Sequence, residues 1–258
     1  MADINPPPAN PPLPNTLFLR TDVTTWDQQA STFAKAFEQH QRLDFCALNA
    51  GIDDRDDIFD SISPTSPPKQ PNLKTFDVNL VGTYYGLKLA AHYLSRPDPS
   101  GSKPQPGGKI AITSSSAGIY PLPPVPQYTA TKHALVGLVR SVAPAAEKVN
   151  IRVNALCPAL VATGLAPPGL MDSFTPAMVT PMSTMLRCFD AMADFDSVGQ
   201  RDWVEKGRSG EVVEGNLEEL IWHEPPVVPA SSDYLDAKGL EEWARAYRER
   251  NRKFAGEE

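Results

Sequence analysis

The residues of this chain whose types and spacing could do chemistry are Tyr128 and Lys132, in the segment Tyr128-Thr-Ala-Thr-Lys132, with Ser115 upstream at the end of an apolar strand. Positions i and i+4 share one face of a helix, so the lysine ammonium can reach the phenol. A free phenol titrates near pH ~10. A neighbouring cation favours the phenolate, so Lys132 is expected to draw Tyr128 towards neutrality, where it can exchange a proton. A serine hydroxyl can hold the same substrate oxygen, and Ser114, Ser115 and Ser116 compete for that part. Tyr120 is the rival tyrosine, but no lysine follows it by one turn. The constellation suits proton transfer at alcohol or ketone oxygens.

The elements that must position these groups follow from periodicity. Residues 1–15 contain six prolines and are expected to form a disordered or extended tail. Thr16–Arg20 reads as a short strand, Thr25-Trp-Asp-Gln28 as a capping box, and Trp26, Ala30, Phe33 and Phe37 as one helix face. Leu43–Asn49 is a second strand. Residues 52–71 form a polar, proline-rich loop, and Phe76, Leu80, Val81, Tyr84, Leu87 and Leu94 mark the next helix. Strands at Lys109–Thr113, Asn150–Cys157 and Gly210–Glu214 and a helix from Tyr128 to Glu147 complete the rhythm. Alternating strands and helical crossovers imply a mostly parallel sheet covered on both faces, an α/β three-layer sandwich. The alternation stops after Gly215, so 16–215 is expected to be one domain. Residues 216–258 then form an extension with a charged amphipathic helix near Asp236–Lys253, carrying a stripe of Leu240, Trp243, Ala244 and Tyr247.

Composition excludes several partners. A net charge of -7 leaves no basic field for nucleic acid. No run approaches the ~18 apolar residues of a membrane span, and the start of the chain is not a signal peptide, so a cytoplasmic protein is expected. Three widely spaced cysteines, Cys46, Cys157 and Cys188, read as buried thiols in a reducing compartment. The four histidines have no metal-ligand spacing, and no metal is expected.

Several motifs in order make the chain resemble the short-chain dehydrogenase/reductase family from about Thr16 to Gly215. Thr21-Asp22-Val23-Thr24 matches its adenine-contacting segment, and Leu48-Asn49-Ala50-Gly51 its Asn-Asn-Ala-Gly turn with Leu for the first Asn. Asn79-Leu-Val-Gly82 sits where the family keeps a helix asparagine. Thr113–Gly118 and Tyr128–Lys132 match the catalytic serine and Tyr-x-x-x-Lys elements. Cys157–Thr163 resembles the segment closing over nicotinamide, with Ala in place of the usual Gly. Gly210-Glu-Val-Val-Glu-Gly215 resembles the branch of NAD-dependent prostaglandin dehydrogenases.

The resemblance implies a Rossmann-like fold and hydride transfer between NAD or NADP and a secondary alcohol or ketone. Its serine-to-tyrosine interval selects Ser115. Tyr128 would exchange the proton, Lys132 would lower its pKa and bond the nicotinamide ribose, and Asn79 would hold a water linking Lys132 to solvent. Asp22 would meet the adenine amino group, Asn49 the adenine ribose, and Val161 and Thr163 the nicotinamide carboxamide, with Val23, Ala50, Gly51 and Pro158 also expected to bind the cofactor. Homo-oligomers would form through the helices holding Asn79 and Tyr128. The segment Gly164–Phe195, with Met171, Met178, Met182, Met185, Met192, Phe174, Phe189 and Phe195, is either an apolar substrate lid or ordinary core.

One departure stands out. No glycine precedes Gly51, so the family's glycine-rich pyrophosphate turn has no counterpart, and Thr16–Arg20 corresponds to the family's third strand. The missing strands belong to the middle of the family's sheet, and their core contribution rivals a domain's net stability of roughly 5–15 kcal/mol. Either Thr16–Arg20 slides in beside Leu43–Asn49, or the chain is unstable alone, or the sequence is a truncated part of a longer one. Weak dinucleotide binding is the expectation, and a non-catalytic member serving folding, dimerisation or interaction is the alternative.

Overall fold

The computed structural model describes residues 1–7, 14–59, 62–101, 103, 105–193 and 209–255. Residues 8–13 of the expected tail and Phe195 of the apolar segment lie outside the described residues. Two compact units emerge, Met1–His223 and Glu224–Glu258.

The first unit is built on a five-stranded sheet. Its strands are β3 (Phe45–Leu48), β4 (Gly108–Thr113), β5 (Ile151–Pro158), β6 (Val212–Asn216) and β7 (Glu219–Trp222), in that spatial order. β3 to β6 run parallel, and β7 folds back antiparallel on β6, placing Glu214 opposite Ile221. This is the mostly parallel α/β architecture that the alternating pattern predicts. The sheet continues to Trp222, so the domain boundary expected at 215 falls after His223. Glu219-Leu-Ile-Trp222 escapes sequence reading because four residues after a tight turn carry too little periodicity.

Helices cover both faces, as a parallel sheet requires. On one face lie α1 (Trp26–His40), a continuous helical run of α2 (Lys74–Phe76), a π-turn (Asp77–Gly82) and α3 (Thr83–Leu94), and α4 (Pro126–Glu147). Their apolar stripes bury Leu87, Ala90, Leu94, Leu135 and Val139 against Ile110, Ile112 and Val153 of the sheet. On the other face, α5 (Met182–Ala193) sets Met185, Cys188 and Met192 against Ala111, Leu156 and Val213. Of the two readings of Gly164–Phe195, lid or core, Met185 and Met192 pack as core.

The N-terminal region differs from expectation. β2, Leu19–Arg20, does not slide in beside β3. It pairs in parallel with β1, Ala2–Asp3, and the Met1 ammonium donates to the Leu17 carbonyl at 2.7 Å. Residues 2–3 of the expected tail are thus a strand: β2 offers unpaired backbone groups, and an extended stretch satisfies them. The second unit holds α6 (Ala237–Ala255), in which the rings of Trp243 and Tyr247 lie 5.8 Å apart and the Arg250 guanidinium sits 4.3 Å over Tyr247.

Leu94 is fully buried, with the large residues of α3 and α4 and the sheet around it. Leu94→Ala is expected to lower unfolding free energy by about 2–5 kcal/mol, the range for a buried leucine whose cavity only partly collapses. A urea denaturation midpoint measures it.

Candidate active site

Strands β3, β4 and β5 end at one level, and the loops leaving them line a cleft of about 960 Å³. Ligands of parallel α/β sheets bind at such carboxyl ends. β3 delivers Asn49 and Gly51, β4 delivers Thr113 and Ser115, and β5 delivers Pro158, Val161 and Thr163. Tyr128 and Lys132 enter from the first turns of α4.

Lys132 is 2% exposed. Its Nζ donates to the Thr113 carbonyl at 2.9 Å and lies 5.3 Å from the centre of the Tyr128 ring. The i, i+4 spacing therefore brings the pair together as expected. Its electrostatic consequence is different. Burial disfavours the ammonium and pulls Lys132 down to about 8, with the Cys157 thiolate form opposing. Burial likewise holds the Tyr128 phenol above its ordinary value, while a hydrogen bond with the Ser115 side chain pulls it down. The expected drop towards neutrality is thus reversed, because low-dielectric surroundings penalise both charged forms before either helps the other.

The three candidate serines separate cleanly. Ser114 is buried, and its Oγ donates to the Lys132 carbonyl at 2.8 Å, tying β4 to α4. Ser116 begins the 3-10 turn Ser116–Gly118. Ser115 caps that turn, accepting from Ala117 N at 3.1 Å, and its side chain lines the cleft with Tyr128 and acts to lower the phenol's pKa. Gly118 explains the close approach here: a Cβ on it would stand 2.4 Å from Ser114 Oγ and 2.7 Å from the Lys132 carbonyl.

Asn79 lies on the π-turn, fully buried. Its Oδ1 accepts from Ile52 N at 2.8 Å, and its Nδ2 donates to Ile52 O at 2.9 Å and to Thr131 Oγ1 at 3.1 Å. The side chain is committed to positioning the Gly51–Ile52 turn beside Lys132. π-turns often sit at such places, since the extra residue re-aims one side chain.

The cofactor residues divide between two cavities. Asn49, Gly51, Tyr128, Lys132, Pro158, Val161 and Thr163 line the large cleft, whereas Val23 and Ala50 line a neighbouring groove of about 360 Å³ along β3. Asp3, Ala47 and Asn49 border both. Asp22 lines neither; its carboxylate accepts from Thr24 N and Thr24 Oγ1 at 2.9 and 2.8 Å, which lowers its pKa. The nicotinamide riboside end of a dinucleotide fits this arrangement. The buried Lys132 ammonium and the half-buried Tyr128 phenol line one cleft, and Gly51 leaves open the space where a Cβ would approach Lys132 Nζ to 3.4 Å. The carboxylate of Asp3 stands at the junction where the rest of a dinucleotide would pass.

Two positioning residues escape sequence reading. Val125, the residue before α4, has no side chain to cap it. Asp54, from the loop after Gly51, supplies the cap: Oδ2 accepts from Gln127 N at 3.0 Å and Oδ1 from Tyr128 N. The second is Thr113, whose Oγ1 donates to Asn49 Oδ1 at 2.8 Å and aligns the ends of β3 and β4. The signal in the sequence is faint, an aspartate some 70 positions away from the helix it caps.

Asp54→Ala is expected to destabilise the protein by about 0.5–2 kcal/mol, the usual worth of a helix cap, with Asp54→Asn losing less; thermal melts measure both. The Lys132 shift predicts a pH signature. The unfolded lysine keeps its proton to about 10.4, while the folded one releases it near 8. Between these values the unfolded chain binds more protons, so this group's contribution to stability rises with pH, its penalty being full below about 8. The penalty is about 3 kcal/mol at 1.36 kcal/mol per unit, less the bond to Thr113. Lys132→Met is expected to be more stable than the parent at pH 7, and the gap to close between pH 8 and 10 in urea midpoints.

With this geometry in view, known proteins give a consistent comparison. A family model for short chain dehydrogenases matches residues 11–169, more than half of the 258-residue chain. The short-chain dehydrogenase/reductase prx6 of Penicillium rubens is 30% identical over 242 residues, taking in 92% of this chain and 76% of that protein. The NAD(+) 15-hydroxyprostaglandin dehydrogenase of Homo sapiens is 35% identical over 152 residues, 58% of this chain and 50% of that one. The crystal structure of acetoin dehydrogenase from Enterobacter cloacae superposes with a TM-score of 0.57 at 25% identity, covering 82% of this chain and 78% of its own. Motif order, strand-end cleft and these similarities agree: the chain belongs to the short-chain dehydrogenase/reductase family.

Proposed function

We propose that the chain is an NAD(P)-dependent oxidoreductase that interconverts an apolar secondary alcohol and its ketone through Ser115, Tyr128 and Lys132. The observation that carries this reading is the convergence of Ser115, Tyr128 and Lys132 in one cleft, with the Lys132 ammonium against the Tyr128 ring. A bound nicotinamide would supply the hydride acceptor or donor, and the name of the human relative favours NAD. Lys132 would hold its ribose, with Asn49 and Gly51 beside it, and Val161 and Thr163 would border the ring.

The chain's own residues handle the oxygen. Ser115 Oγ holds and polarises it, an electrostatic task of the kind that lowers a barrier by a few kcal/mol. In the reductive direction Tyr128 gives its phenolic proton to that oxygen as the carbonyl carbon gains hydride. A phenol kept protonated by burial suits this role. In the oxidative direction the phenolate must take the hydroxyl proton, so alkaline pH favours it. Lys132 sits close enough to stabilise the phenolate when it forms. Val161, Leu165, Met182, Met185 and Phe189 give the cleft an apolar wall suited to a lipid-like or aromatic substrate. Assembly as a homo-oligomer through α3 and α4 is consistent with the exposed Val81 and Tyr84. Cytoplasmic placement accords with three free thiols, and none of the described helices is long and apolar enough to cross a membrane.

A second reading, a non-catalytic family member, draws on Asp3, whose carboxylate would face the phosphates of a dinucleotide. One experiment separates the two. The purified chain is titrated with NAD and NADP, then assayed with NADH or NADPH and a panel of apolar ketones. Turnover that falls by about a hundredfold or more in Tyr128→Phe and Ser115→Ala supports the enzyme. Reduction is expected to hold steady or fall with rising pH while oxidation climbs. A cooperatively folded chain that binds neither cofactor supports the second reading.

A further inference from the structure

Behind the cleft lies a buried polar cluster that the reaction above does not use. Glu214, on β6, is 2% exposed. Its Oε2 accepts from the Tyr120 hydroxyl at 3.0 Å and lies 2.7 Å from His223 Nε2, and its Oε1 accepts from Asn216 Nδ2 at 3.1 Å. A carboxylate taken out of water is costly to keep unless its oxygens are bonded, and here both are. Each partner comes from a different stretch of chain: Tyr120 from the loop after β4, Asn216 from the end of β6, His223 from the end of β7.

His223 is itself anchored. Its amide donates to the Val212 carbonyl at 2.9 Å, and its carbonyl accepts from Arg140 Nη2 on α4 at 3.0 Å. The cluster is therefore fixed to the sheet and to the catalytic helix. Tyr120 is the exposed member, on a loop, at 48%. It ends the short 3-10 turn that starts at Ser115: Gly118 N donates to Ser115 O at 2.8 Å, and Tyr120 N donates to Ser116 O at 2.8 Å. One end of this turn carries the Ser115 hydroxyl, which lines the cleft with Tyr128, and the other is held by Glu214.

We propose that Glu214 is a positioning residue for Ser115, acting through the Tyr120 hydroxyl to fix the turn that Ser115 caps. A three-residue turn has too few internal bonds to hold its own place, so an anchor at its far end sets where Ser115 points. Cys157, fully buried on β5, lies opposite Glu214 in the sheet. Tyr120 thus has a use of its own, distinct from the proton transfer for which its spacing disqualifies it.

The inference rests on the Ser115–Tyr128–Lys132 reading, and its test keeps the two apart. Tyr120→Phe removes only a hydroxyl at a half-exposed position and is expected to fold. Its kcat is expected to fall by about tenfold to a hundredfold, the usual effect of slightly misplacing a reacting group, with KM within about threefold. Glu214→Gln keeps an acceptor for the Tyr120 hydroxyl and is expected to stay within about threefold of the parent in kcat, whereas a loss matching that of Tyr120→Phe overturns the hydrogen-bond account. A Tyr120→Phe kcat within about twofold of the parent overturns the proposal. Amide exchange gives an arm independent of turnover: exchange at Ile119 and Tyr120 is expected to quicken by about tenfold in Tyr120→Phe, and unchanged exchange overturns the clamp even if no substrate is found. Full turnover in Ser115→Ala sinks the functional reading instead, while the exchange arm still decides whether Glu214 holds the turn.

Discussion

Burial of the Lys132 ammonium is the constraint around which the rest of this structure is arranged. A cation out of water needs a partner, and here it is the carbonyl of Thr113, the last residue of β4. That single bond ties α4 to the end of the central strand. Its neighbours hold the same junction: Ser114 Oγ bonds the Lys132 carbonyl, Thr113 Oγ1 bonds Asn49, and Asn79 holds the turn at Gly51 and Ile52. The lysine is left with a charge that its surroundings disfavour, which is the state from which a proton-handling site operates.

This arrangement trades stability for chemistry. The protein keeps a lysine whose ionised form is penalised and a phenol whose ionised form is penalised beside it. Neither is what packing alone would select at the base of a cleft, where apolar side chains would give a firmer core. Such local violations of burial rules concentrate at functional sites and are offset elsewhere. Here the offset is the continuous apolar layer of α3, α4 and the sheet, with Leu94, Ile112, Leu135 and Val139 sealed from water.

The positioning network is long-range. Asp54 caps a helix that its own neighbour Val125 cannot cap, and Glu214 reaches across three strand ends to Tyr120 and His223. Both are carboxylates supplied by segments far away in the chain to backbone or side-chain donors that would otherwise be unpaired. The N-terminal pairing of Ala2–Asp3 with Leu19–Arg20 follows the same logic, an open strand edge finding a partner from the nearest extended segment.

The sequence by itself determined the family, the alternation of the main strands and helices, and the pairing of Tyr128 with Lys132 on one helix face. Those features rest on local spacing: Tyr128 and Lys132 meet because a helix turns once in four residues, and β4 and β5 are legible because Ile110, Ile112, Val153 and Ala155 are apolar in alternate positions facing α3 and α4. It also offered three serines alike in residue type, of which the resemblance's serine-to-tyrosine interval selects Ser115. Only the tertiary structure decided that Ser114 braces α4, that burial raises the phenol rather than lowering it, and that Met185 and Met192 are core. The same holds for β7, for the β1–β2 pair, and for the parts played by Asp54 and Glu214. Desolvation and distant hydrogen bonds depend on what packs around a group in three dimensions, and no spacing along the chain records that.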